Sequence, residues 1–238
     1  MNSTKDKVTT LMRSSTDNIN VIDNIPINIQ AGEVLKRLQL RRKNKLVEEI
    51  VRDLIEIVAS VARPKAVFKC SRINIKDGDK LEIDGVEFVS HSLRVLDRTQ
   101  PVFPYVATYG REIDTIKISS GAAMQAHCLN VIKSMVVTSA SIYLQDHLVK
   151  HYAPGQISRV SPGHPESWPV TQQKEMFSVL GKVEDLIGVR LTDSFLMMPV
   201  ESICGIFYPT ETWIERCLVC LSETCRDRKT PYAPSLLE

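Results

Sequence analysis

The sequence contains no run of the 18 to 20 or so apolar residues that a helix needs to cross a membrane. Its N-terminus is polar and lacks the apolar core of a secretory signal peptide. The formal net charge is only +2, which gives no overall attraction to nucleic acid. We therefore expect a cytoplasmic protein that associates with neither membranes nor nucleic acids.

Recognisable catalytic motifs are also absent. The sequence has no phosphate-binding P-loop, no glycine fingerprint of a dinucleotide-binding fold, and no Ser-His-Asp or Cys-His pattern of an activated nucleophile. Hydrophobic residues nevertheless make up 43% of the chain, enough for a core of ordinary size. These features favour a globular protein that binds and presents a cofactor over a self-contained enzyme.

The spacing of apolar residues predicts the main elements. Intervals of three and four predict two amphipathic helices between residues 33 and 58 and a long helix over 122–152. We assign the buried face of the long helix to Leu129, Ile132, Met135, Val136, Ile142, Tyr143 and Leu148. Alternating patterns predict strands near 66–75, 102–108, 195–198 and 203–208, and a hairpin around Asp84-Gly85. The chain is therefore expected to be α+β, with a flexible arm over 1–20, one domain over 21–213 and a cysteine-rich tail over 214–238.

The region between residues 158 and 209 is the least generic part of the chain. It begins with Arg159, continues through a loop rich in proline and glycine, and ends in a pair of predicted strands. An arginine offers a fixed fork that matches a carboxylate, and Gly163 would let the backbone approach a ligand closely. This combination predicts a pocket for a small zwitterion.

This region resembles the S-adenosylmethionine-binding activation domain of cobalamin-dependent methionine synthase. The family pattern Arg-x-x-x-Gly-Tyr-Pro is matched by Arg159, Gly163 and Pro165, with His164 in place of the tyrosine. The later parts of the pattern are matched by Leu191, Thr192, Ser194, Pro199, Ser202 and Gly205, with Asp193 in place of a glutamate. The resemblance implies a mixed or antiparallel twisted sheet with a long central helix. It also implies an S-adenosylmethionine site formed by Arg159, Ser161, Gly163, His164, Pro165 and Trp213.

The resemblance further implies a role in reactivating cobalamin by reductive methylation, as a component of a methyltransferase in methionine biosynthesis. No cobalamin-carrying module is evident at this length, so we expect the chain to act in trans on a separate corrinoid protein or split methionine synthase. The basic residues between Lys36 and Lys45 are either a solvated helical surface or a docking patch for an acidic electron donor such as a flavodoxin.

The cysteines near the C-terminus form a second candidate site. Cys217, Cys220 and Cys225 have the spacing C-x2-C-x4-C, and the first pair is typical of zinc or iron–sulfur ligands. Cys204 is the available fourth thiolate. The same cysteines could equally be free or redox-active thiols. Two further functions therefore stay open: an accessory protein that passes electrons through a metal or cluster without binding S-adenosylmethionine, and a purely structural interaction module.

Overall fold

The computed structural model describes residues 19–40, 44–153, 155–163, 166–222, 225 and 228–237. Most of the predicted N-terminal arm lies outside this part of the chain. Ile19 and Asn20, however, begin the first strand, so the regular structure starts before the predicted boundary at residue 21. The boundaries proposed for the domain and its tail otherwise stay predictions.

The sheet has five antiparallel strands in the order β1-β2-β6-β10-β7. Its members are β1 (Ile19–Ile22), β2 (Lys65–Lys69), β6 (Phe103–Thr108), β7 (Gln156–Val160) and β10 (Ile203–Thr210). A smaller antiparallel sheet contains β3 (Ile73–Asp77), β4 (Lys80–Ile83) and β5 (Val86–Val89), and a two-stranded ribbon joins β8 (Arg190–Leu191) to β9 (Met197–Met198). The antiparallel alternative of the predicted fold is thereby confirmed.

The helices are α1 (Ala31–Arg37), α2 (Lys45–Val61), α3 (Ala123–His151), α4 (Gln173–Leu180) and α5 (Val183–Ile187). Helix α2 begins where the Asn44 side chain accepts hydrogen bonds from the backbone N–H groups of Leu46 and Val47. Helix α5 ends at Gly188, which has φ of +78° and lets the chain turn away in the left-handed conformation. Five short 3-10 helices connect or follow these elements within the described residues. No helix in the described ranges is both long and apolar enough to span a membrane.

Side chains alternate between the two faces of the large sheet, and each face is covered by a different layer. On one face, Phe68, Tyr105 and Phe207 pack against Ala140, Leu144 and Leu148 of α3. On the other face, Val67, Val106 and Cys204 pack against α4 and α5. Val160 and Ile206 on that second face pack against the small sheet and Trp168. The domain is thus a central sheet between two unlike layers.

The predicted apolar face of α3 is partly wrong. Ile142 and Tyr143 are 53% and 40% exposed, although Leu129, Ile132 and Leu148 are buried as expected. The first half of α3 packs against α1 and α2, whereas its second half packs against the sheet. Because the two halves bury different sides, a single apolar stripe does not describe this helix.

Candidate functional site

The strand that carries Arg159 is held in place by the long helix. Gln145 Nε2 donates to the Ile157 carbonyl oxygen at 3.0 Å, and Arg159 Nη1 donates to Ser141 Oγ at 2.8 Å. Ser141 and Gln145 lie one turn apart on α3, so they face the same edge of the sheet. Sequence reasoning missed both residues. The available signal was a pair of polar residues, four positions apart, within a helix predicted to be buried.

Arg159 lies on the α3 face of the sheet. It is paired in register with Phe207, which packs against α3, and its side chain is half-buried. No carboxylate of the described residues lies within 4.0 Å of its guanidinium group. Within the described residues its hydrogen-bond partner is the Ser141 hydroxyl group, so the guanidinium group has donors left for an anionic ligand.

Gly205 allows the backbone after β7 to cross close to β10. A Cβ added at Gly205 would lie 2.4 Å from the Val160 carbonyl oxygen and 2.7 Å from Ser161 Oγ. It would also lie 3.3 Å from the ring of Tyr105, whose hydroxyl is buried and has no partner within the described structure. Ser161 Oγ and the Tyr105 ring therefore both lie beside the bare backbone of Gly205.

The loop that follows is closed by a backbone hydrogen bond. The Gly163 N–H donates to the Trp168 carbonyl oxygen at 2.9 Å, and Gly163 has φ of +143°, a conformation that favours glycine. His164 and Pro165 belong to this loop but lie outside the described residues. Their predicted contacts with a methyl donor therefore stay predictions.

The opposite face of the sheet carries a cavity of about 220 Å³. Val160, Ser161, Gly163 and Trp168 contribute to its wall, but Arg159 does not. The predicted donor-site residues therefore do not all lie on one face of the large sheet. Arg159 lies on the face covered by α3, whereas Ser161 and Gly163 in the following loop also line the cavity on the opposite face.

Trp213 lies just beyond β10 and is 52% exposed. It does not line the cavity. The neighbouring Ile214 N–H donates to Ser158 Oγ at 2.8 Å, which attaches this segment to β7. The contact between Trp213 and the methyl donor stays a prediction.

The four cysteines predicted to bind a metal are not brought together. Cys204 packs among Val67, Val106 and Leu180, and burial raises the pKa of its thiol to about 12. Cys217, Cys220 and Cys225 instead line the cavity. Across the described ranges, no group of three or more His, Cys, Asp or Glu side chains is arranged to hold a metal ion. The burial of Cys204 in a separate cluster gives the four-thiolate hypothesis no structural support.

Arg228 cross-links the C-terminal segment that carries these cysteines. Its guanidinium group donates to the carbonyl oxygens of Cys217, Cys220, Ser222 and Thr230 at distances between 2.7 and 3.0 Å. All five of its N–H groups are used, counting two bonds to Ser222. No sequence pattern indicates this role, because each acceptor is a backbone carbonyl.

Two comparisons with known proteins agree with this architecture. Residues 139–213 match the family model described as the activation domain of vitamin B12-dependent methionine synthase. A crystal structure of the MetH reactivation domain bound to AdoHcy matches with a TM-score of 0.60 and 14% sequence identity, covering 82% of this chain and 79% of that one. The family match spans Ser141, Arg159 and Gly205, and the structural match establishes the fold. The chain is therefore an activation-domain-like protein, similar to the activation domain of vitamin B12-dependent methionine synthase.

Proposed function

We propose that this chain binds S-adenosylmethionine on the α3 face of β7 and supports the reductive methylation of cobalamin carried by a separate corrinoid protein or split methionine synthase. The observation that carries the proposal is the half-buried guanidinium group of Arg159, which Ser141 positions and no described carboxylate neutralises. It lies inside the region that matches the activation-domain family.

The residues around Arg159 suit an amino-acid moiety attached to a larger group. The guanidinium fork would hold the carboxylate of the methionyl part. Ser161 Oγ supplies a further polar group beside the bare backbone of Gly205. S-adenosylmethionine would bring an electrophilic methyl group. The chain's own contribution is then to bind the donor and fix its orientation toward the partner.

The partner side of the proposal is a cobalamin-binding protein together with an electron donor. Lys36 and Arg37 end α1 and Lys45 begins α2, while Arg41 to Lys43 between them lie outside the described residues. We propose this basic region as the contact for an acidic flavodoxin-like donor, because complementary charge speeds encounter between proteins. We likewise retain the cytoplasmic location as part of the proposal.

A binding titration tests the donor site directly. Arg159→Ala should weaken S-adenosylmethionine binding by about 10- to 150-fold, the loss of roughly 1.5–3 kcal/mol expected for a hydrogen bond to a charged group. Arg159→Lys should recover only part of the affinity, because an ammonium group lacks the planar fork. Calorimetric titration measures both values.

Arg190→Ala is the matched control, because Arg190 is an exposed arginine on β8. Its affinity should equal that of the unmodified protein. Equal affinity in Arg159→Ala, combined with a lower melting temperature, would mean that Arg159 serves the fold alone.

An assay in trans tests the second half of the proposal. The protein is added to a corrinoid protein in the cob(II)alamin state with S-adenosylmethionine and a reductant, and methylcobalamin is followed by its visible spectrum. Formation should depend on this chain and fall in Arg159→Ala. Tight donor binding without any methylation of several corrinoid proteins would contradict the proposed role while leaving the binding site intact.

A further inference from the structure

The cavity on the face opposite Arg159 contains chemistry that the donor site does not use. Three of the six cysteines line it, and so do two arginines. It is bounded on one side by Val160 and Trp168 and on the other by the 3-10 helix Arg216–Val219. Three cysteines therefore border the same cavity.

The 3-10 helix sets the geometry of the first two thiols. It has three residues per turn, so side chains three positions apart lie one above the other. Cys217 lies within this helix and Cys220 caps it, and the Cys220 N–H donates to the Cys217 carbonyl oxygen at 3.4 Å. Both cysteines therefore lie close together on this turn and line the same cavity.

Hydrogen-bond donors and positive charges lie close to the two sulfur atoms. Cys220 Sγ accepts a hydrogen bond from Ser167 Oγ at 3.5 Å, and Cys217 Sγ accepts one from the Lys229 N–H at 3.5 Å. The Arg228 guanidinium group bridges the carbonyl oxygens of both cysteines and places a positive charge next to the turn. Arg216 adds a second positive charge at the cavity wall.

A buried polar group without a partner belongs to a residue in the wall of the cavity. Trp168 lines it and is fully buried, yet its indole N–H has no hydrogen-bond partner in the described part of the chain. A buried donor without a partner is costly, and few occur in folded proteins.

We propose that Cys217 and Cys220 form a redox-active dithiol that reduces an anionic low-molecular-weight disulfide in this cavity. The half-exposed Cys220 thiolate attacks one sulfur of the disulfide, forms a mixed disulfide and releases the other half as a thiol after it gains a proton. The buried Cys217 thiolate then attacks Cys220, forms the internal disulfide and releases the second thiol. One disulfide is reduced to two thiols as the two cysteines are oxidised, so electrons and protons balance.

Oxidised glutathione is the probe. The reduced protein, incubated anaerobically with it, should release two molecules of glutathione and lose two hydrogen atoms in mass. Cys217→Ser should instead accumulate glutathione attached to Cys220, because the second attack is removed. Cys220→Ser should form no internal disulfide with Cys217.

Cys225→Ser is the matched control, because Cys225 lines the same cavity but is exposed and lies outside the 3-10 turn. This variant should still form the internal disulfide. The proposal is overturned if the unmodified protein forms no internal disulfide, if Cys217→Ser still forms one, or if glutathione attaches only at Cys225. Retention of a metal ion that Cys217→Ser releases would overturn it as well.

The charge of the substrate provides a second test. Oxidised glutathione should react about fivefold faster than an uncharged disulfide of similar reactivity, and Arg216→Ala should remove that preference, as expected for one exposed ionic contact. Equal rates for both disulfides in the unmodified protein would exclude an anionic substrate. None of these outcomes depends on S-adenosylmethionine binding.

Discussion

Arg228→Ala is the substitution whose effect the structure defines most sharply. The guanidinium group makes five hydrogen bonds to four backbone carbonyl groups between residues 217 and 230. Buried side chains are otherwise scarce in this segment: Cys217, Val219 and Ser222 are its buried described residues. The segment therefore depends on this one side chain more than on an apolar core.

The magnitude follows from the bonds that are lost. Five hydrogen bonds, each contributing a net of about 1 kcal/mol, set an upper value near 5 kcal/mol. Water can reach part of this half-buried segment and replace some of them, so we expect a loss of about 3 to 5 kcal/mol. The loss should appear as local opening of residues 216–237, because most of the core lies elsewhere. Arg228→Lys should recover less than half, since an ammonium group has three donors and no planar fork.

Hydrogen exchange measured by mass spectrometry separates local from global effects. In Arg228→Ala, amides of residues 216–222 should exchange at least about 100-fold faster, while amides of β6 and β10 stay unchanged. Arg216→Ala is the control, since the exposed Arg216 side chain makes no hydrogen bond to a described residue, and this variant should leave both regions unchanged. Unchanged exchange in the 216–222 peptides of Arg228→Ala would refute the reasoning, and so would an equal rise across the whole chain.

Two further predictions concern the core. Gly205→Ala should lower the free energy of unfolding by about 1–3 kcal/mol, because the added Cβ overlaps the Val160 carbonyl oxygen. Gly32→Ala is the control: the added Cβ in α1 meets open space, and the variant should be more stable by up to about 1 kcal/mol. Urea denaturation measures both changes. Burial is the larger cause that lowers the pKa of His147, and the charge of His151 is the next. As the pH falls, His147 is therefore protonated in the unfolded chain before it is protonated in the folded chain. The free energy of unfolding should therefore fall as pH decreases below about 6.5, and His147→Phe should reduce that slope; an unchanged slope would contradict it.

The regular elements could be predicted because their signals are local. The hairpin at Asp84-Gly85 has positive φ at both residues, +51° and +80°, as such a turn requires. Gly188 ends α5 in the left-handed conformation that a glycine directly after a helix commonly adopts. These features depend on a few consecutive residues, so a single sequence contains them.

The arrangement of the site could not be predicted because it depends on which layer covers each face. The sequence placed Arg159 and Gly163 in one pocket, but strand alternation directs Arg159 toward α3 while the following loop also borders the opposite cavity. The sequence analysis also grouped Cys204 with Cys217 as metal ligands. In the structure Cys204 packs against α4 and α5, whereas Cys217 lines the cavity. Spacing along a chain limits how far apart residues can lie, yet it does not state what lies between them.

The division of the sheet into two faces also determines how the two proposals relate. The short backbone stretch from Val160 to Gly163 leads from Arg159 to the cavity, and its first two residues lie close to Gly205 on β10. A side-chain substitution on one face therefore leaves the other face's contacts in place, so loss of donor binding in Arg159→Ala and loss of disulfide formation in Cys220→Ser should occur independently. Gly205→Ala is different, because its Cβ would displace the shared backbone itself. If the variant folds, it should impair both activities together, and normal dithiol chemistry alongside lost donor binding would show that the cavity does not depend on this stretch.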